Sequence, residues 1–312
     1  MRLAVVSDIH GNLTALETVL ADIERQQVDK LIVAGDFVGG PQPQATLESL
    51  RDAQALMIRG NHEAYFLDCD RGRTPTGIGN AKQWAAMQWA YEQLSRDALD
   101  FLSALPEQRV IACNGAAPIR VVHGTPGSDR EHLFPNRDPA ALTRFRQEDQ
   151  LPWDQTPSPL SLVTEGIAEA VLVCAHSHIP WQQSEDSCLV VNPGSAGSSI
   201  NGDPRATYAI LTWTDDRWSA EHRFIPYDLG QLRRAYETTG CLAHGGAFAR
   251  ACLLVSESGH NVALRLLRHA YRTAAARGLD TGAGVPDDIW DAAVAGFDWV
   301  RAAKTGVPDG RL

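Results

Sequence analysis

A chain of 312 residues with 44% hydrophobic and 21% charged content has an ordinary globular make-up, long enough for one large α/β domain or a domain with an appendage. No apolar run approaches the roughly 18 residues of a membrane span, and Met1–Val6 is too short for a secretory core, so cytoplasmic residence is the expectation. A formal net charge of −10 argues against long duplex nucleic acid as a partner, which calls for a basic footprint.

The chain opens with strand and helix patterns in alternation. Arg2–Val6 is a short apolar run, and Leu13–Arg25 carries apolar residues at helical spacing (Leu13, Leu16, Val19, Leu20, Ile23). Leu31–Ala34 predicts a second strand, Ala45–Arg51 a second helix and Ala55–Ile58 a third strand. Such a βαβαβ order implies largely parallel pairing, with ligands bound beyond the carboxyl ends of the strands. Residues 79–105 read as helical, with Trp84, Met87 and Tyr91 on one face as core packing.

Val110–Cys113, Ile119–Val122 and Ala170–Cys174 are further strand candidates. The Pro- and charge-rich segment Arg130–Pro159 reads as a long loop, with one helix expected near Pro139–Arg146. Leu189–Val191, Ala206–Trp213 and Trp218–Phe224 predict antiparallel strands, the last two joined at Thr214-Asp215-Asp216. After Asp228 no strand pattern remains. Residues 229–312 read as a helical C-terminal extension, broken at Gly240–Gly246 and Gly278–Pro286, with helical spacing through Val262–Ala276 and Ile289–Ala303. Residues 1–228 are then the main α/β domain. The six cysteines form no CxxC pair and are expected to be reduced and mostly buried.

Polar clusters terminate five of the predicted strands. Asp8-x-His10 follows the first, and Asp36 follows Gly35 after the second. Asn61-His62 follows Gly60, His123 precedes Gly124, and His176-x-His178 ends another buried strand. Taken singly, each cluster is weak; Asp36 alone suits a turn or a helix cap. Together they hold five of the chain's ten histidines at the place where an α/β sheet binds its ligands. Oxygen and imidazole donors without thiolate suit Mn²⁺, Fe, Co²⁺, Ni²⁺ or Zn²⁺ in a catalytic role, and a shared carboxylate would bridge two ions about 3.5–4 Å apart.

In that order, Asp8-x-His10, Gly35-Asp36, Gly60-Asn61-His62, His123 and His176-x-His178 resemble the five-block signature of the calcineurin-like metallophosphoesterases, over roughly residues 1–228. Gly35-Asp36-Phe37-Val38-Gly39, Val191-Asn192-Pro193-Gly194-Ser195 and Gly202-Asp203-Pro204-Arg205-Ala206-Thr207-Tyr208 are similar to a bacterial branch described as predicted phosphodiesterases. The resemblance implies a two-sheet α/β sandwich flanked by helices. It also implies two divalent transition-metal ions: Asp8, His10 and His178 on one, Asn61, His123 and His176 on the other, and Asp36 between them. His62 matches the family's non-ligand histidine, placed to steady or protonate the leaving oxygen. Two features depart from the usual pattern: Ala175 stands where the family has Gly, and Glu63 gives Asn-His-Glu, as in the protein-phosphatase branch. That branch's arginine-containing motif is absent after Gly35-Asp36.

The implied activity is metal-dependent hydrolysis of phosphate esters, diester or monoester, by a bridging hydroxide on a small, nucleotide-like substrate. Dinucleoside polyphosphate hydrolysis is the enzymatic alternative, and a non-catalytic binding module with a metal site is the alternative of another class. A degenerate module would have lost ligands, and none is missing here. Ser195 lacks the Gly-x-Ser-x-Gly setting of a nucleophile. Asn192, Arg205 and Arg130 are candidate substrate contacts, although turn chemistry serves the first two as well. In the tail, Arg265, Arg268, His269 and Arg272 share one helical face. That face is either solvated or folded over the site as an anion contact.

Overall fold

Strand β1 (Arg2–Val6) is buried on both faces, and its period of two divides its side chains between two cores. Leu3 and Val5 pack into a core between two sheets, whereas Ala4 and Val6 pack against helix α1 (Leu13–Arg25). Strand β2 (Lys30–Val33) divides its residues in the same way, Ile32 between the sheets and Leu31 and Val33 toward the helices. This is the packing of a sheet covered on both sides, and it explains the continuous apolar runs. The computed structural model describes residues 1–73, 82–135, 151, 157–279, 281 and 284–304.

The first sheet has the order β10-β9-β1-β2-β3, with β3 at Leu56–Met57, β9 at Ala206–Thr214 and β10 at Arg217–Ile225. Strands β1, β2 and β3 run parallel, and β9 joins β1 antiparallel with Leu3 opposite Leu211. The second sheet has the order β4-β5-β6-β8-β7: β4 (Gln108–Cys113), β5 (Ala116–Val122), β6 (Val171–Val173), β7 (Pro180–Glu185) and β8 (Cys188–Pro193). Its central strands β5, β6 and β8 are parallel. The fold is the expected α/β sandwich, and the parallel strands of both sheets present their carboxyl ends to one edge.

Helices α2 (Pro43–Asp52) and α3 (Asn61–Asp70) follow β2 and β3. The segment read as helical over residues 79–105 is, among the described residues, a 3₁₀ turn at Lys82–Trp84, α4 (Ala85–Glu92) and α5 (Arg96–Ala104). The break has a local cause: Ser95 takes an extended backbone and its side chain caps the Ala98 amide, starting a new helix. Strand β7 has no counterpart in the sequence reading, because Gln182, Gln183 and Ser184 on a sheet edge lack alternating apolar residues. The short helix α6 (Leu160–Thr164) was also not expected. The helix expected near Pro139–Arg146 lies outside the described residues.

After Asp228, which caps α7 (Leu229–Thr238), the chain is helical: α8 (Cys241–Ser258), α9 (Val262–Ala275), α10 (Asp287–Gly296) and α11 (Trp299–Ala302). The interruption expected at Gly240–Gly246 is a left-handed Gly240 before α8 and a kink at Gly246 inside it. The Ile289–Ala303 pattern is split where Asp298 caps α11. These helices are not packed apart from the sheets. Leu232, Tyr236, Cys241, Ala249 and Leu253 enter the same core as α1, while Ala251 and Val255 join a separate core with Leu266, Ile289 and Trp290. All six cysteines are free thiols, Cys174, Cys188 and Cys241 buried and the other three half-buried. Among the described residues no helix is long and apolar enough to cross a membrane.

Candidate metal centre

The loops that leave the parallel strands are bent back sharply. Asp8, His10, Asp36, His176 and His178 all take positive φ, between 48° and 63°, a region costly for residues with a Cβ. Strain of about 1–3 kcal/mol per residue persists only where the surroundings over-determine it, and here it turns five side chains toward one point. Glycine supplies the remaining clearance. A Cβ on Gly60 would lie 2.2 Å from Asp36 Oδ1, and one on Gly35 would lie 2.6 Å from the Gly60 nitrogen.

Two groups of donor atoms converge on Asp36. On one side His123 Nε2 lies 3.3 Å from Asp36 Oδ2 and 3.0 Å from Asn61 Oδ1. Its Nδ1 is 2.8 Å from the Ala34 carbonyl, which places the proton of a neutral ring there. Nε2 is then a lone pair facing two oxygen acceptors, an arrangement that calls for a cation or for a charged ring. His176 completes this side, and its Nε2 donates to the Arg130 carbonyl at 3.1 Å, leaving Nδ1 as its lone pair.

On the other side, His178 Nδ1 donates to the Ser198 carbonyl at 2.6 Å. Its Nε2 then sits 3.3 Å from Asp8 Oδ1 and 3.1 Å from His10 Nε2. Asp8 is fully buried; Oδ2 accepts from the His176 amide, whereas Oδ1 has no hydrogen-bond partner. An orphaned carboxylate oxygen in a buried site is costly, and a cation held with His10 and His178 would satisfy it. Asp8, His10 and His178 form one group whose donor atoms lie within 4.8 Å of one another, and Asp36, His123 and His176 form another. Asp36 also stands with His10 and His62, its Oδ2 4.0 Å from each Nε2. The donor set fits divalent transition metals: oxygen and neutral imidazole, with carbonyls fixing the tautomers.

The electrostatics agree with a site built around positive charge. Burial opposes ionising His123, yet Asp36, by charge and hydrogen bond, and Asp8 lift its pKa to about 10. Burial would also raise Asp36, but His123 and His62 hold it well below the ordinary carboxylate range. His10 is pushed well down by burial and by His62 and His178. His176 is pushed down by burial, His132 and His123.

Comparison with known proteins decides the family. Residues 1–216 match the calcineurin-like phosphoesterase superfamily domain. The chain belongs to that superfamily. An uncharacterized protein of Methanocaldococcus jannaschii is 28% identical over 255 residues, 75% of this chain and 90% of its own. The crystal structure of a metallophosphoesterase from Sphaerobacter thermophilus is similar at TM-score 0.58 and 25% identity, covering 78% of this chain and 99% of that one. A hypothetical protein from Pyrococcus horikoshii shares the fold at TM-score 0.59 and 18% identity, covering 78% and 98%.

In this calcineurin-like phosphoesterase all seven expected ligand residues and His62 meet at the sheet edge. His62 is the second residue of α3, and its amide donates to Asp36 Oδ1 at 2.9 Å, so the helix N-terminus faces that carboxylate. Ala175 is not among the positive-φ residues, so its methyl group strains no backbone. Arg130 lines the cleft, with its guanidinium 4.8 Å from the Tyr65 ring centre.

Two expected substrate contacts are corrected. Asn192 is fully buried and spent within the loops: Nδ2 donates to the Ala175 carbonyl and Ser177 Oγ, and Oδ1 accepts from the Gly194 amide. Arg205 forks onto Asp203, lies over Phe224 and does not line the cleft. Ser195 is likewise structural, its Oγ donating to the Asp8 carbonyl and accepting from the Ser198 amide, 2.7 Å each.

Two residues escaped the sequence reading. Glu63, noticed there only as a motif variant, is fully buried and accepts from the amides of Asp36, Phe37, Val38 and Gly60 at 2.8–3.1 Å. Its signal was the capping-box spacing from Gly60. His132 lines the cleft with its ring 4.3 Å from that of His176, and no flanking motif marked it.

The tail does cover the site, but not with its arginines. From α8 and α9 the cleft is lined by Phe248, Val255, Leu264, Leu267 and Tyr271, whereas Arg265, Arg268, His269 and Arg272 are not among the lining residues. Trp84 and Met87 also line this cleft, so the stripe read as core packing is partly a wall of the site.

Proposed function

We propose that the protein is a cytoplasmic hydrolase of small phosphate esters, diester or monoester, working with two divalent transition-metal ions. Asp8, His10 and His178 would hold one ion and Asn61, His123 and His176 the other, with Asp36 available to both. The observation that carries this reading is the buried, unpartnered Asp8 Oδ1 beside imidazole lone pairs already oriented by carbonyls. Manganese, iron, zinc, cobalt and nickel all suit such a donor set. Bound there, the pair would supply an activated water and neutralise charge on the phosphoryl oxygens.

The protein's own residues do the rest. Arg130 faces the cleft and offers a planar donor to a phosphate oxygen. The new bond joins the water oxygen to phosphorus as the ester P–O bond breaks. The departing alcohol oxygen takes a proton from His62 Nε2, which points to the cleft beside Asp36.

A cleft of about 480 Å³ suits a nucleotide-sized substrate rather than a macromolecule. Among the described residues Arg130 is the one Lys or Arg lining it. One cation matches a single phosphate better than a polyphosphate chain, which places dinucleoside polyphosphates second. The test is a panel of phosphomonoesters, phosphodiesters, cyclic nucleotides, dinucleoside polyphosphates and phosphopeptides, assayed with each metal in turn. Cleavage of small esters that disappears on chelation and returns with metal supports the reading. Less than about one equivalent of bound metal, with no cleavage of any ester, would leave a binding module instead.

A further inference from the structure

The cleft does not end at the imidazoles. The same cleft is also lined by Trp84, Met87, Phe248, Val255, Leu264 and Leu267, and these apolar side chains define its arm. The last four belong to α8 and α9, beyond the residues 1–216 that match the superfamily domain. Nothing in the ligand set requires this wall. Helix α9 contributes Leu264, half-buried, and Leu267, buried, spaced i, i+3.

Three polar side chains that line the cleft are committed elsewhere. Asn12 caps Ala15 with Oδ1 and donates from Nδ2 to the Gly197 carbonyl. Ser256 Oγ donates to the same Gly197 carbonyl at 2.8 Å. Asn261 Oδ1 caps the Leu264 amide at 3.1 Å. An arm that is apolar, with these polar groups already satisfied, recognises surface area and not hydrogen-bonding edges.

We infer that this arm receives the alcohol portion of the substrate, and that the preferred substrate is a phosphate ester of a bulky apolar alcohol, aryl or branched alkyl. The inference rests on the phosphoester reading of the adjoining metal centre. Hydrolysis divides the ester into inorganic phosphate, or a phosphomonoester from a diester, and the free alcohol. Water supplies the hydroxyl to phosphorus and a proton goes to the alcohol oxygen. The arm adds binding energy through the alcohol without taking part in that chemistry. A nucleoside would gain only from the area of its rings, with little distinction among bases.

The test uses the full-length, manganese-loaded protein and two readouts. Calorimetry compares methylphosphonate with benzylphosphonate, whose C–P bonds are not hydrolysed. Phosphate or alcohol release compares methyl with benzyl phosphate and their methyl diesters, whose alcohols are of similar basicity. The benzyl compound is expected to bind about tenfold tighter or more and to show a similar gain in kcat/KM. Leu264→Gln and Leu267→Gln should each bring the benzyl-to-methyl ratio toward one. The methyl compound in the same sample reports whether the variant is folded, and Leu264→Ala serves if the glutamine variants are not.

A wild-type ratio near one in both readouts overturns the inference and leaves the phosphoester reading standing. So does a strong preference for one nucleobase over another at equal ring area. Tighter benzyl binding without cleavage of any ester supports the arm and removes the hydrolase reading instead.

Discussion

His123 and Asp36 are held 3.3 Å apart, Nε2 to Oδ2, across the gap between the two sheets. His123 follows β5 in the second sheet and Asp36 follows β2 in the first, and the Ala34 carbonyl fixes the ring from behind at 2.8 Å. The contact ties the sandwich together at the edge where the donor atoms collect. Loading the centre with metal should therefore stabilise the whole fold.

Addition of Mn²⁺ at about 100 times its dissociation constant is expected to raise unfolding free energy by about 2.7 kcal/mol per site. Asp36→Asn and His123→Ala should lose most of that gain and about one equivalent or more of bound metal. Thermal melts with and without chelator, beside metal analysis, measure both. A wild-type melting curve indifferent to every first-row metal would count against the centre.

In the proposed function His62 gives a proton and holds no ion, although it also stands with His10 and Asp36 in a group that could hold one. His62→Ala should keep its metal content while turnover of alkyl esters falls by roughly 10²–10⁴. Esters of p-nitrophenol, whose anion leaves without a proton, should lose much less. Equal losses on both substrate types would remove His62 as the acid.

Glu63 gathers four backbone amides beneath the centre. Glu63→Ala strips their acceptor in a buried place and should cost about 2–4 kcal/mol in urea unfolding. Glu63→Gln, with one oxygen left, should fall between the two. If neither variant shifts the midpoint, the carboxylate does not hold the Asp36 loop.

Asp22 on α1 accepts from Tyr208 at 2.7 Å and from Arg223 at 2.7 Å, stapling the helix to β9 and β10. The Arg223 bond, chiefly, with Tyr208 and Arg25, outweighs burial and lowers its pKa to about 2. The unfolded value is about 3.9. The folded carboxylate therefore binds its proton less readily, and its contribution is complete above about pH 4 and lost as pH falls through about 2. Arg223→Gln should raise the folded pKa toward the unfolded value, which lowers stability above about pH 4 and leaves less to lose on acidification. Unfolding free energies measured from pH 5 to pH 2 would show a lower starting value and a shallower decline in the variant than in the wild type.

Much of the first sheet was readable because each element is short, apolar and punctuated. Arg2–Val6 and Leu13–Arg25 appear in the structure with those bounds. Edge strand β7 was not, since a polar edge strand is stabilised by its neighbour and leaves no periodicity of its own. The helical reading of 79–105 did not show the division at Ser95, where a local cap starts a new helix.

The sequence alone determined the donor inventory and its family, because ligand chemistry is carried by residue type and by the order of motifs at strand ends. Tertiary structure decided which of the remaining polar residues reach the cleft. Asn192 and Arg205 sit in motifs like those of the ligands, yet one is consumed by loop amides and carbonyls and the other by Asp203. It decided, too, that α9 turns Leu264 and Leu267, and not its arginines, toward the site. Both outcomes depend on side-chain direction, which follows from backbone sign at single residues and from packing between distant elements. Neither quantity is written in local periodicity.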